Sequence, residues 1–281
     1  TGASVVLAEA SPYAHGGVGG SGGQGTTPGS PGNGGNGGNV ILAATTGDLT
    51  TNYYSYIDAG GGSGGFGADG VNDAANGGTG GTGGTGGMVS LSAAGTLTLS
   101  ATISVASGYG GDGGAGYYDY NLLSYTGTGG AGGAAGNAGT ISVSGASVVL
   151  SSTALDAGSD NGGFGGQGTV PGLDGGGGTG GKAILRATSG DLTLDSGTYL
   201  SASAAGEALV LAAAGNFVNN AGSFALNAPN GRWLVYSTNP STDFSGGLVY
   251  DFRQYGLTYS GAAYSGPGIG NGVIYSLAPV A

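Results

Sequence analysis

The sequence predicts an all-β fold, a right-handed parallel β-solenoid that carries glycine-rich hairpins on one face. Two observations lead to this prediction. Segments of alternating apolar and small polar residues recur along the chain, and long glycine-rich tracts separate them. The chain of 281 residues contains 72 glycines, and 54 of them lie in four tracts. In chain order, tracts I to IV are 15–38, 60–87, 108–139 and 158–181.

The segments between the tracts indicate strands. In each segment Val, Ile and Leu alternate with Ser, Thr and Ala, which is the period-two pattern of half-buried strands. Each segment reads as strand, turn, strand, turn and a third short strand, which makes one coil of a solenoid. The recurring TGDLT, AGTLTL and SGDLTL motifs favour this repeat over the alternative of an ordinary β-sandwich. The segments are 39–59, 88–106, 140–157, 182–203 and 207–228.

The tracts indicate ordered hairpins. Gly-Gly-X triplets suit a left-handed helix with three residues per turn, in which X lies on one edge and two edges are bare backbone. Bare edges allow such polyglycine II helices to pack against each other and to pair their N–H and C=O groups. Each tract has two triplet arms joined by a less regular segment, so each should form a hairpin. Because the tracts interrupt successive coils at the same point, they should stack on one face of the solenoid.

Two regions are predicted along the chain. Residues 1–228 form the coils with their four insertions, and residues 229–281 form an aromatic-rich carboxyl-terminal module that caps the solenoid or assembles with a neighbour. This module holds the only Trp and no run of Gly-Gly-X triplets. Since Ser4 to Leu7 already read as a strand, we expect the sequence to begin inside the solenoid, as in a processed product or a segment of a larger protein.

Charge and composition exclude several classes of partner. The formal net charge is −11, and Lys and Arg number four in total. A basic surface for nucleic acid or for anionic lipid cannot be built from so few cations. No apolar run approaches the ~18 residues of a membrane span, so no membrane insertion is expected. Cysteine is absent, which excludes disulfides and fits a bacterial surface protein that crosses membranes unfolded.

The sequence offers no catalytic constellation, and we expect no enzyme activity. The only histidine, His15, opens tract I without an orienting acid or a nucleophile beside it. GGFGADGV at 64–71 matches one copy of a Ca²⁺-binding nonapeptide repeat, with Asp69 and Asp73 as weak calcium candidates. One copy does not make a site, so we expect no cofactor and no metal, with Ca²⁺ as the alternative.

The strongest binding signal is YYDYNLLSY at 117–125, in the middle of tract III. It concentrates tyrosines at the predicted far end of a hairpin, where exposed aromatic rings suit contact with sugar or protein. The alternative is that these rings only seal the end of the stacked hairpins. The predicted contact residues are Tyr117, Tyr118, Asp119, Tyr120, Asn121 and Tyr125.

GRWLVYSTNP, GGLVYDFRQY and GNGVIYSLAP, all within 230–281, carry a family resemblance. They resemble the segment that closes the β-helix of filamentous haemagglutinin-like exoproteins, which are adhesins exported by two-partner secretion. The glycine tracts depart from that family and resemble the polyglycine sandwiches of phage tail-tip adhesins and small antifreeze proteins.

The resemblance implies a secreted, non-catalytic adhesin or matrix- and fibre-forming protein at the bacterial cell surface. Its partners would be other copies of itself in a homopolymer, or a surface glycan or protein. A ligand-recognition module for glycan, receptor or ice is the alternative.

Overall fold

The protein is all-β. The computed structural model describes residues 2–25 and 27–279, and within these ranges the chain forms 21 strands and no helix. Four residues lie outside the described ranges. Residue 26 belongs to tract I, and residues 1, 280 and 281 are the ends of the two predicted regions. Three parallel sheets, here called A, B and C, contain 19 of the strands, and the other two form an antiparallel pair.

The three sheets run side by side along the molecule. Sheet A has the order β2 (Asn39–Ala44), β5 (Met88–Ala93), β10 (Thr140–Gly145), β13 (Lys182–Ala187), β16 (Glu207–Ala213), β19 (Arg232–Ser237), β21 (Gly272–Tyr275) and β20 (Phe252–Tyr255). Sheet B has the order β1 (Val5–Leu7), β3 (Leu49–Thr51), β6 (Thr96–Leu99), β11 (Ser147–Leu150), β14 (Leu192–Leu194) and β17 (Phe217–Asn219). Sheet C has the order β4 (Ser55–Asp58), β7 (Ala101–Ser104), β12 (Ala154–Ala157), β15 (Tyr199–Ala202) and β18 (Leu226–Asn227). The antiparallel pair is β8 (Tyr118–Asp119) with β9 (Ser124–Tyr125).

The chain visits the sheets in a constant order. Each coil places one strand in sheet A, the next in sheet B and the third in sheet C, and the following coil pairs with it in parallel. This three-sheet body is consistent with a β-solenoid, and the predicted parallel, in-register pairing is confirmed.

The core lies between the three sheets, where the inward residue of each strand stacks on its equivalent in the next coil. In sheet B, for example, Leu97 pairs with Val148 and Val148 with Leu192, and all three are fully buried. Burial of each such side chain contributes about 1.5–3 kcal/mol. The alternation read from the sequence is therefore the source of the core.

All four glycine tracts emerge at the corner between sheet C and sheet A. Tract II, for example, leaves after β4 and returns into β5, and tract IV leaves after β12 and returns into β13. The same corner between β15 and β16 is made by residues 203–206 alone. A corner this short shows that the coils close without a tract, so the tracts are true insertions at one repeated position.

The carboxyl-terminal segment continues sheet A through β19, β21 and β20. Between β20 and β21, Tyr259 and Tyr264 pack on the outer surface of sheet A, against a small cluster that includes Val210, Leu234 and Ile274. Trp233 points the other way, into the main core. The aromatic residues of 229–281 are thus divided between the inner core and an outer layer, and the division of the chain at residue 228 stays a prediction.

Candidate functional site

The glycine tracts form a hydrogen-bonded slab. In the outgoing arm of tract II, Gly64 donates to the carbonyl of Tyr109 in tract III, at 2.9 Å. The next residue, Gly65, donates to Gly32 in tract I, also at 2.9 Å. This pair of bonds recurs every three residues along the arms. The slab consists of the outgoing arms 15–23, 60–70, 108–116 and 158–168 and the return arms 29–38, 77–87, 127–139 and 172–181.

The arms are arranged in two layers. Outgoing arms bond to outgoing arms of the neighbouring tract in the parallel direction, as Gly19 does to Ser63. Return arms likewise bond to return arms, as Gly83 does to Ala134. Bonds between the layers are antiparallel, and every interior arm therefore has partners on several sides. The tracts are held by this network, although no strand is formed along the arms.

Glycine is required in the slab because the arms pack backbone to backbone. A Cβ on Gly80 would lie 1.8 Å from the carbonyl oxygen of Gly111, and one on Gly83 would lie 2.0 Å from that of Gly108. No described tract glycine has a positive φ, so these positions need the missing side chain and not a left-handed backbone.

On the slab surface, asparagine and aspartate side chains accept hydrogen bonds from some of the backbone N–H groups that the arms leave unpaired. The third residue of each triplet has an N–H that faces outward. Asn33 Oδ1 accepts the N–H of Thr82 at 3.1 Å, and Asn36 Oδ1 accepts that of Thr85 at 3.0 Å. The same bond joins Asp69 to Ala115, Asn76 to Thr128, Asp112 to Phe164 and Asn137 to Thr179. This role was not predicted from the sequence. The available signal was the GGNGGN motif at the end of tract I, which lies opposite the GGTGGT motif of tract II.

The predicted contact residues lie together at the far end of tract III. The ring of Tyr118 meets those of Tyr120 and Tyr125 edge to face, with centroids 5.2 Å and 5.0 Å apart. Tyr120 is 81% exposed, and Leu122 and Leu123 beside it are also exposed. We call residues 117–125 the tip.

The tip is anchored to its neighbours. The N–H of Tyr117 donates to Ala75 of tract II at 2.9 Å, and the hydroxyl of Tyr125 donates to Gln167 of tract IV at 2.5 Å. The rings of Tyr117, Tyr118, Tyr120 and Tyr125 line a groove of about 400 Å³ together with Asp69.

Asp119 and Asn121, predicted as polar contacts, form the tip turn itself. Asp119 Oδ1 accepts the N–H of Asn121 at 2.7 Å and that of Leu122 at 3.3 Å. This Asx-type turn holds the tyrosines in place. The structure therefore gives Asp119 a positioning role, and its part in contact stays a prediction.

A second apolar surface, which was missed from the sequence, lies on the outgoing arms. Phe66, Tyr109 and Phe164 are exposed there and line a groove of about 350 Å³ with Asp112 and Asn161. The return arms carry mainly Asn, Thr and Ala at their third positions. The two faces of the slab are thus chemically different, a difference that appears in the sequence only once each tract is divided into its two arms.

At the base of this surface a carboxyl group sits beside a phenol. Burial raises the pKa of Asp160, and the nearby Asp160 charge raises the pKa of Tyr109. This foot of the slab also holds His15, whose Nδ1 lies 2.7 Å from the carbonyl oxygen of Gly16 and whose ring stacks on Tyr13. These contacts do not connect a nucleophile to a general base and that base to an orienting acid.

The calcium candidates are Asp69 and Asp73. Asp69 Oδ1 accepts the N–H of Ala115 at 2.7 Å. Within residues 2–25 and 27–279, no three His, Asp or Glu side chains cluster closely enough to hold a metal ion.

Comparisons with protein-family profiles, curated proteins and solved structures give no significant match. The described part of the chain also has no helix with the length and apolar character needed to cross a membrane.

Proposed function

We propose that this protein is a non-catalytic, extracellular adhesin or matrix-forming protein that attaches through the tip. The observation that carries the proposal is the tyrosine cluster at the outer end of a hydrogen-bonded slab, in which Tyr120 is exposed and Tyr117, Tyr118 and Tyr125 are half-buried. Tyrosine gives a large contact area for little lost rotamer entropy, so a few rings can anchor a complex.

We further infer that the arms are polyglycine II helices on a right-handed solenoid. The bonds recur at three-residue intervals, which matches a helix of three residues per turn. A right-handed path is the one that nearly all parallel strand crossovers take. At about 3.1 Å per residue, an arm of roughly nine residues would hold the tip about 28 Å from the body.

The partner that suits the tip is a neutral surface glycan or an aromatic-rich protein surface. The chain carries a net charge of −11, which disfavours an anionic partner, and the tip groove is lined by phenol rings with one carboxylate. Attachment at a bacterial surface after two-partner secretion would place the protein where such partners occur.

The experiment replaces Tyr117, Tyr118, Tyr120 and Tyr125 by Ser and measures adhesion to cells and to a glycan array. We expect adhesion to be lost while the circular dichroism spectrum is unchanged, because only one of these side chains bonds outside the tip. Tyr53→Ser with Tyr54→Ser is the matched control, since these two rings are exposed and in edge-to-face contact on the three-sheet body. If the tip variant adheres like the parent, the tyrosines only seal the end of the slab.

A second candidate function is glycan recognition by the outgoing face. Phe66 and Phe164 flank Asp112 there, and rings beside a polar side chain suit a sugar. In that case the double variant Phe66→Ala, Phe164→Ala should lose glycan binding, whereas the tip variant should keep it. Recognition of a receptor or of ice stays a prediction.

A further inference from the structure

A cavity of about 190 Å³ lies on the outer surface of sheet A, beside the segment that joins β20 to β21. In the register of the sheet, Ala212 stands between Arg186 on one neighbouring strand and Tyr236 on the other. The small methyl group of Ala212 leaves a space between these two long side chains. Thr258 and Tyr259 line the cavity from the joining segment.

Arg186 differs from the other three cations in the described part of the chain. Lys182 and Arg232 both pair with Glu207, at 3.9 Å and 3.3 Å, and Arg253 donates to a tyrosine hydroxyl. No ion pair or side-chain hydrogen bond joins Arg186 to another described residue. Its planar guanidinium presents donors in the geometry that a carboxylate accepts with both oxygens. The cavity therefore has a free cationic group at its edge.

Tyr236 brings an unpaired hydroxyl to the same cavity. The residue is only 5% exposed, and no hydrogen bond joins its hydroxyl to another described residue. A hydroxyl on so buried a residue is normally paired. The hydroxyl of Tyr259, whose ring centroid lies 5.2 Å from that of Tyr236, also has no described partner. One guanidinium and two phenol hydroxyls thus offer donors that the chain itself does not use.

The remaining lining residues restrict the class of ligand. The lining contains one cation and no acid, so an ammonium group on the ligand would find no carboxylate there. Thr188 and Thr238 donate to backbone carbonyls at 3.1 Å and 2.6 Å, and their oxygens can still accept hydrogen bonds. Sugar hydroxyls supply donors for such acceptors. The lining therefore favours a hydroxylated acid over an amino acid or an amine.

We propose that this cavity binds a single hexuronic acid, with its carboxylate on Arg186 and on the hydroxyl of Tyr236. The ring of Tyr259 gives the sugar ring an apolar surface. One unpaired guanidinium matches a singly charged carboxylate, and the net charge of −11 disfavours more highly charged anions. The inference goes beyond the proposed function, because the cavity lies on the three-sheet body and not on the slab.

The test is isothermal titration calorimetry of the whole chain with D-glucuronate. We expect the parent to bind it, and Arg186→Gln to bind at least about tenfold more weakly, because the variant loses the charge-assisted bonds to the carboxylate. Arg253→Gln is the matched control, since it removes the same charge outside the cavity and should bind like the parent. No binding by the parent, or equal binding by Arg186→Gln, would overturn the proposal.

The carboxylate and the sugar ring are tested with two further probes. D-glucose keeps the ring without the carboxylate, and acetate keeps the carboxylate without the ring. Each should bind the parent more weakly than D-glucuronate. If either probe binds as tightly as D-glucuronate, the cavity does not recognise a sugar acid and the assignment is wrong.

Two more variants test the position of the ligand. Ala212→Val adds bulk between Arg186 and Tyr236 and should abolish binding, whereas Ala43→Val, on the same outer face in β2, should not. Tyr236→Phe removes only the hydroxyl, so binding should weaken by about threefold to tenfold. Circular dichroism checks that each variant keeps its sheets. Folded Ala212→Val that binds D-glucuronate like the parent would place the ligand elsewhere and contradict the inference.

This proposal and the proposed function fail separately. The tip variant with four Tyr→Ser changes should bind D-glucuronate like the parent, since the tip lies in tract III and the cavity on sheet A. Loss of D-glucuronate binding in the tip variant would move the sugar acid to the tip and overturn the inference.

Discussion

At the residue scale, tract glycines with the same sequence context have opposite roles. Gly80 and Gly20 each stand in a Gly-Gly-X triplet. A Cβ on Gly80 would collide with the carbonyl of Gly111 at 1.8 Å, and one on Gly20 would meet nothing within 4 Å. The position of the arm in the slab, and not the triplet itself, decides whether glycine is required.

The first prediction concerns the interior glycines. Gly80→Val, Gly83→Val and Gly86→Val should each destabilise the slab by about 3 kcal/mol or more, because the new side chain meets backbone that cannot move aside. Thr82→Ser should leave the melting temperature unchanged, since the bond to Asn33 uses its backbone N–H. Thermal unfolding of the four variants checks this, and equal stability of all four would show that the arms are not packed.

The second prediction concerns alkaline pH. Burial is the main cause that raises the pKa of Tyr236 and of Tyr275, each to about 12. The unfolded chain loses these protons near pH 10, while the folded protein keeps them. Stability should therefore be complete below pH 10 and decrease between pH 10 and about 12, by about 2–3 kcal/mol for each phenol.

Chemical unfolding at several alkaline pH values measures this decrease. Tyr236→Phe removes one of the two titrating groups, so its stability should fall less steeply with pH than that of the parent. A slope identical in parent and variant would mean that Tyr236 ionises as freely in the folded protein as in the unfolded chain.

At the element scale, each tract depends on its neighbours. Among the tracts, and within the described residues, tract I bonds only to tract II, whereas tract IV bonds only to tract III. The three-sheet body does not need the tracts, because residues 203–206 make the same corner with four residues.

The third prediction follows from this dependence. Replacing tract IV by the sequence Ser-Ala-Ala-Gly should leave a folded protein with three hairpins. The same replacement of tract II should leave tract I without any neighbouring tract, and tract I should then be cut rapidly in limited proteolysis. Equal protease resistance of tract I in the two variants would show that hairpins are ordered independently of each other.

Most elements of the body could be predicted from the sequence, because alternation of apolar and polar residues reports directly which side of a strand is buried. The common insertion point was also predictable, since it follows from the spacing of repeats. The outer layer over sheet A was not, because Tyr259 and Tyr264 lie in a segment without periodicity and their partners are distant in sequence.

The candidate site was predictable only in part. Exposed aromatic residues in the middle of tract III indicated the tip, and the structure brings Tyr118, Tyr120 and Tyr125 into contact. The groove of the outgoing face arises from three different tracts, so its residues come together only when the register between arms is known. The same holds for the bonds from Asn33 and Asn36 to the next tract.

At the scale of the whole molecule, the three-sheet body and the slab are stabilised by different interactions. The three-sheet body is stabilised by apolar burial, and the slab is stabilised by backbone hydrogen bonds between arms that have almost no side chains to bury. Net hydrogen-bond contributions are modest, about 0.5–1.5 kcal/mol each, so the slab depends on their number and regularity. The body sets the spacing between tracts, and that spacing brings the arms into register.

The fourth prediction is the pattern of amide hydrogen exchange along tract II, measured residue by residue by NMR. If the arms are hydrogen-bonded with a three-residue period, Gly61, Gly62, Gly64 and Gly65 should be protected while Ser63 exchanges rapidly. Phe66 should repeat the rapid exchange of Ser63 three residues later. Uniformly rapid exchange, as in a flexible linker, or protection with a period of two, as in a β-strand, would contradict the slab.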